Sequence, residues 1–298
     1  MNPLNRRAFI TNTVLGAAAL MTPDTVWAWG GKEQRYKVAV IDLMILKRQK
    51  LGAVKLTHEI GADGLEVDMG GLGNRDTFDN QFFDDAFRAN YLKALKEYNI
   101  EVASVAMTGF YAQSFATRPT YKQMVGDCLK TCQLLGAKTA FLPLGVQGDL
   151  VQNPELRPAI VERLREVGKM AKQAGVIVGI ETALDARGDV ELLKEIGSKH
   201  IQIYFNFSNP LKEGRDLIEE LQILGKKRIC QIHCTDEDGV WLQNNQRLDM
   251  PKVKAALDKM GWKGWLVIER SRDASLSPRA VTENFGANTS YVKSIFQK

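Results

Sequence analysis

From residue 36 onward the chain repeats one unit: a short apolar stretch, a polar loop, an amphipathic helix, a Gly or Asn, then the next apolar stretch. The residues expected to end helices are Gly61, Asn99, Gly136, Gly175, Gly197, Gly225 and Gly261. Gly and Asn adopt the left-handed conformation that closes a helix at least cost. A strand candidate follows each: Gly64–Asp68, Glu101–Met107, Thr139–Pro143, Val176–Glu181, Ile201–Asn206, Ile229–Cys234 and Trp265–Glu269. Tyr36–Leu43 supplies the first strand and makes eight. Between the fourth and fifth strands, Ile160, Leu164, Val167 and Ala171 recur at the period of a helix packed by one face. The last helix is expected from about Pro278 to Ile295. Eight βα units in ~260 residues match the number and size of a (β/α)8 TIM barrel, an α/β fold of one domain. The rival, an open doubly wound sheet, often has a Gly-rich turn after its first strand. Here that turn reads Asp42-Leu43-Met44-Ile45. The barrel is the expected fold for residues 36–298.

The segment ahead of it has another character. Arg6 and Arg7 precede a short apolar stretch from Val14 to Met21, and Val26-Trp27-Ala28 offers a small-residue cleavage site. Cationic, apolar and cleavable in that order, residues 1–28 read as an export signal of the twin-arginine type. Residues 29–35 are then a linker, and the mature protein is expected to be exported, periplasmic or otherwise extracytoplasmic. The chain carries 40 Lys+Arg against 35 Asp+Glu, a net of +5 with no long basic run. Nucleic acid is therefore not an expected partner, nor is a membrane surface. No stretch approaches the ~20 apolar residues of a spanning helix, so no stable membrane insertion is expected after signal removal. A homo-oligomer is left open. Cys128 and Cys132, and Cys230 and Cys234, are each spaced i, i+4. A disulfide within one regular element is geometrically awkward, so buried free thiols are expected.

In such a barrel the reactive groups sit at the C-terminal ends of strands, on residues pointing inward. Alternation identifies them. With Val176, Val178 and Ile180 facing the helices, Glu181 points into the mouth; with Leu266 and Ile268 outward, Glu269 points in. The same parity turns Glu66, Asn206 and His233 inward. Glu181, Asn206, His233 and Glu269 thus converge from four successive strands. Two carboxylates so placed repel, and one takes up a proton unless a cation neutralises them. Two carboxylates, an imidazole and an amide carbonyl form a plausible octahedral donor set for a divalent ion. Spacing alone equally allows a polar mouth closed by an ion pair with Arg270 or Arg272.

The segments Gly179-Ile180-Glu181, Tyr204-Phe205-Asn206-Phe207-Ser208-Asn209, Gln231-Ile232-His233 and Val267-Ile268-Glu269 resemble the metal-site strands of the xylose isomerase-like barrels. That superfamily includes ketose 3-epimerases and proteins described as sugar phosphate isomerase/epimerases. The resemblance covers essentially the whole mature chain. It implies one divalent metal ion, Mn²⁺ first and Mg²⁺, Co²⁺ or Zn²⁺ as alternatives, held by Glu181, Asn206, His233 and Glu269. It also implies that Glu181 and Glu269 are the catalytic acid/base pair. The second position departs, since the family usually has Asp where this chain has Asn206. Asn209 stands where many members place a substrate-contacting His. Two glutamates with neutral His and Asn contribute −2 rather than −3, which implies weaker metal binding and a more electrophilic ion. The same departure keeps open a non-catalytic, secreted sugar-binding barrel. An endonuclease IV-like repair barrel shares the fold but uses more metal-binding histidines than the three present here.

The implied activity is that of a sugar isomerase/epimerase working by proton abstraction next to a carbonyl, through a metal-stabilised enediolate. A lyase acting on keto-glycosides would use the same intermediate. Export favours a non-phosphorylated sugar or keto-sugar, so the expected partner is a small-molecule carbohydrate. Secondary substrate-binding candidates are Glu66, Tyr111, Asn209, Asp236, Trp241 and Arg270. Tyr111 and Trp241 are placed to stack on a ring, Arg270 (like Lys47) to orient a hydroxyl or carboxylate, and Asp236 to touch substrate or brace the His233 region. The segment from Gly70 to Arg75 lacks a Lys-Ser/Thr ending and reads as a mouth loop rather than a phosphate cradle. His58 and His200 are assigned no role.

Overall fold

A computed structural model describes residues 34–298; the expected export signal and most of the expected linker lie outside the described residues. The strands are β1 (Tyr36–Ile41), β2 (Gly64–Asp68), β3 (Glu101–Ala106), β4 (Thr139–Pro143), β5 (Ile177–Glu181), β6 (Ile201–Asn206), β7 (Ile229–His233) and β8 (Gly264–Ile268). They pair in chain order, all parallel, and β8 closes on β1 with Tyr36 opposite Gly264. The helices are α1 (Gly52–Ile60), α2 (Asp85–Tyr98), α3 (Tyr121–Leu135), α4 (Arg157–Ala174), α5 (Ala186–Ile196), α6 (Ser208–Lys212), α7 (Leu217–Leu224), α8 (Met250–Met260) and α9 (Val281–Phe296). The expected (β/α)8 barrel is therefore the observed one.

Strand parity divides the core in two. Leu65, Val67, Val178, Ile180, Ile203, Ile232, Leu266 and Ile268 pack between the sheet and the helices. Ala39, Ile41, Ala103, Ala106, Phe141, Tyr204 and Val267 fill the barrel itself. Small residues make room there for two large rings, Phe141 and Tyr204, which meet edge to face at 4.7 Å between centroids. Gly179 faces the same space. A Cβ on it would lie 2.6 Å from Cys230 Sγ and 3.0 Å from Tyr204 Cβ, closer than packed atoms approach.

Helix ends follow the sequence signals. Gly61, Asn99, Gly136, Gly175, Gly197 and Gly261 all close helices in the left-handed conformation. Gly225 also has positive φ, 65°, but its ψ of 163° carries the chain away extended. Asp84, Asp185, Asp216 and Asp249 cap helix N-termini through their carboxylates, each contributing ~1 kcal/mol. Boundaries shift by a few residues. β1 stops at Ile41 because Asp42 turns to accept from the Gln49 and Asp68 backbone N–H groups. β8 ends at Ile268, leaving Glu269 as the first residue beyond it, and α9 starts three residues later than Pro278. The four cysteines are free thiols. Among the described residues no helix is long and apolar enough to cross a membrane.

Candidate active site

Inward parity brings Glu181, Asn206, His233 and Glu269 together at the C-terminal mouth, all buried. The Asn206 amide nitrogen lies between the two carboxylates and donates to Glu181 Oε2 at 3.2 Å and Glu269 Oε2 at 3.1 Å. His233 Nδ1 stands 3.2 Å from Glu181 Oε2 and 3.9 Å from Glu269 Oε2. Four side-chain atoms thus crowd one point. The outer oxygens differ: Glu181 Oε1 accepts from the Tyr111 hydroxyl at 3.2 Å, while Glu269 Oε1 lies 3.6 Å from Arg270 Nε.

A second polar layer lies directly below. Glu66, at 0% exposure, stands 3.3 Å from His233 Nε2 and accepts from Ser104 Oγ and the Tyr204 hydroxyl, both at 2.6 Å. Gln231 Nε2 donates to that serine and that tyrosine. Sealed from solvent, Glu66 braces His233 from below and stands one layer beneath the mouth where it was expected to touch substrate. Ser104, Tyr204 and Gln231 were missed by sequence reasoning, although Gln231 shares the inward parity of His233 and was legible by the same rule.

Charge is divided unevenly. Burial alone would lower the His233 pKa, but the charges of Glu66 and Glu269 and hydrogen bonds with Glu181 and Glu66 raise it to about 10. Its ring is then an imidazolium serving carboxylates at both nitrogens. Burial pushes Glu66 upward, and the His233 charge with the His233, Ser104 and Tyr204 hydrogen bonds outweighs it, holding the carboxyl below its ordinary value. Glu269 is raised, by burial first and then by the Glu181 charge. Burial and the same two carboxylates keep Tyr111 a phenol, and Glu269 stabilises the Arg270 cation.

Among the described residues, no group of three or more His, Cys, Asp or Glu side chains is spaced to hold a metal ion; direct hydrogen bonds close this cluster. Its donor chemistry nonetheless fits a divalent cation. Ligands ~2.1 Å from one ion lie ~3 Å apart at right angles, close to the spacing of Glu181 Oε2 and His233 Nδ1. Glu181, Glu269 and His233, the last on giving up its Nδ1 proton, would hold such an ion with positions left open. Asn206 as placed would not. Its Oδ1 accepts from Ser208 N at 3.0 Å and Ser208 Oγ at 2.9 Å, so an N–H group faces the carboxylates, where an amide oxygen was expected.

The remaining candidates separate. Tyr111 meets Phe141 at a tilt and directs its hydroxyl to Glu181, so it is at the site through its oxygen. Arg270 is exposed beside Glu269. Asn209 donates to the Thr182 carbonyl, one loop from the cluster. Asp236 is buried and bound by Asn245 and by two nitrogens of Arg247 at 2.7 and 3.0 Å, so it braces its own loop. Trp241 donates to Asn284 of α9, which fixes it against that helix. His58 and His200 lie away from the mouth, beside Tyr98 and the Val176 carbonyl.

Known proteins share this architecture. The chain is similar to the D-psicose 3-epimerase of Clostridium cellulolyticum H10, solved with D-tagatose, at 15% identity over 87% of this chain and 99% of that one, with a TM-score of 0.71. A 3-keto-D-glucoside 4-epimerase from E. coli gives 16% identity, 87% and 99% coverage and a TM-score of 0.67. In sequence, a 2-epi-5-epi-valiolone 7-phosphate 2-epimerase of Actinoplanes sp. is 23% identical over 166 residues, 55% of this chain and 59% of that protein. The match therefore spans less than two thirds of that relative. At these identities the solved structures share the fold. Residues 54–289 match the family pattern described as xylose isomerase-like TIM barrel, and the chain belongs to that family.

Proposed function

We propose that this protein is a sugar epimerase or isomerase in which Glu181 and Glu269 carry a proton to and from the carbon beside a carbonyl. One observation carries the reading: two buried carboxylates from β5 and the end of β8 share a single amide N–H₂ group at the barrel mouth. Their Oε2 atoms face the shared point, which leaves Glu181 Oε1 and Glu269 Oε1 to handle protons. Glu269, raised by burial and by its neighbour, is the better store for a proton. Glu181 Oε1 receives the Tyr111 hydroxyl, which aims it. If the proton returns to the opposite face of the same carbon the outcome is epimerisation; if it returns to the neighbouring carbon, isomerisation. Arg270, at the edge of the cluster, is placed to orient a substrate oxygen. A divalent ion held by Glu181, His233 and Glu269, Mn²⁺ foremost, would supply Lewis-acid stabilisation of negative charge on the substrate oxygens.

The substrate we assign is a non-phosphorylated ketose or 3-keto-glycoside. Residues 1–28 read as an export signal, which would place the enzyme outside the cytoplasm, where sugar phosphates are scarce. The similarity to a D-psicose 3-epimerase and a 3-keto-D-glucoside 4-epimerase supports the choice. Mn²⁺-loaded protein incubated in D₂O with free ketoses and 3-keto-glycosides is expected to place deuterium at the carbon next to the carbonyl and to form the epimer. Release of the aglycone instead would assign the lyase outcome of the same proton abstraction. No deuterium and no elimination with any of these sugars would reject the reading.

A further inference from the structure

At the N-terminal ends of β6 and β7, opposite the mouth, two open grooves of about 480 and 490 Å³ adjoin through Ser198 and Lys199. Four Lys or Arg side chains line each groove, Lys199 being common to both, and no Asp or Glu lines either. That sector alone holds more positive charge than the chain's net +5. Lys172, Lys194, Lys199 and Lys227 are exposed and form no ion pair among the described residues. Arg165 and Arg228 bond only to main-chain carbonyls, those of Glu195 and Leu224. The Glu195 carboxylate nearby is taken by Arg157.

The opposite sector of the same face is different. The groove at the starts of β1 and β3 has its cations neutralised, Lys37 by Glu101 at 2.5 Å and Lys293 by Asp63 at 2.6 Å. Helix dipoles explain part of the excess, because Lys172 and Lys194 occupy the last turns of α4 and α5. Arg228 serves the last carbonyl of α7, whereas Lys199 and Lys227 lie beyond the helices and are left unexplained.

We propose that this trough binds a strand of acidic polysaccharide bearing carboxylates. Its two grooves are neighbouring recesses that meet at Ser198 and Lys199, and an extended linear polyanion can cross both where a flat bilayer would rest on their rims. The exposed large apolar side chains that would insert into lipid, such as Leu46, Phe83 and Val146, lie elsewhere. No Phe, Tyr or Trp lines either groove, so the stacking platforms of single-stranded nucleic-acid sites are missing. Val190, Leu193 and Ile201 instead provide an aliphatic floor between lysines, suited to the C–H face of a sugar ring. The attraction is of exposed charges and falls with salt.

Binding of the full mature chain to sodium polygalacturonate, measured by calorimetry across a salt series, tests this. The wild type is expected to bind at low salt and release at high salt, with neutral dextran unbound. Reversing Lys172, Lys199 and Lys227 to Glu should weaken binding roughly tenfold or more. Reversing Lys50, Lys93 and Lys130, away from the trough, should leave it unchanged. Circular dichroism establishes that both triple variants are folded. Failure to bind polygalacturonate at low salt, equal binding by the trough variant, or preference for phosphatidylglycerol vesicles or a poly(dT) oligonucleotide would overturn the proposal. The assay reads no catalysis, so its outcome is independent of the epimerase reading.

Discussion

Asn206 decides how the mouth of this barrel holds its two glutamates. Its amide N–H₂ group holds two glutamates that would otherwise repel, and Ser208 fixes which end of the amide faces them. Substituting Asn206→Asp replaces a shared donor with a third carboxylate. We expect that variant to bind Mn²⁺ roughly tenfold more tightly in calorimetry, and equal affinity would contradict this view of the amide. His233 supplies the remaining positive charge between Glu66 and Glu181. Its folded pKa of about 10 lies above the ordinary 6.5, so its stabilising contribution is full below about pH 6.5 and is lost as pH rises toward 10. In EDTA-treated protein the melting temperature should therefore fall across that interval, and His233→Asn should flatten the fall. Parallel pH profiles for the two proteins would show that the ring carries no such linkage.

At the scale of elements, the barrel was legible because its period is repeated eight times and seven of the nine described helices end at a Gly or Asn. Side-chain direction followed from the same alternation, which is why Glu181, His233 and Glu269 were found without any contact being known. What parity does not reveal is depth along the strand. Glu66 and Glu181 both point inward, yet one is sealed beneath His233 and the other opens to the mouth. Nor does parity tell which end of an amide faces inward, since that depends on the Ser208 N–H two residues onward. Loop residues such as Asp236 and Trp241 were illegible for another reason: their partners, Arg247 and Asn284, lie where only tertiary folding brings them. Gly179 shows how closely β5 and β6 are matched. Gly179→Ala forces a methyl against Cys230 and Tyr204 and should cost ~1–3 kcal/mol in chemical denaturation; an unchanged midpoint would mean the interior has slack.

Over the whole molecule, topology sorts charge that the sequence disperses. Lysines from the ends of α4 and α5 and from the loops before β6 and β7 form one unneutralised sector on the face away from the mouth, although the chain has no basic run. Acid chemistry is gathered at one end and free cations at the other, so the two ends can be altered separately. The central claim concerns the first end, that two glutamates serve opposite faces of one substrate carbon. The most direct measurement is deuterium exchange from D₂O set beside epimer formation, in Glu181→Gln and Glu269→Gln, starting from each epimer of a sugar that the wild type interconverts. Both variants should lose interconversion, while each still exchanges deuterium into the epimer whose proton faces the remaining glutamate. A variant that interconverts the two epimers at the wild-type rate would contradict the account.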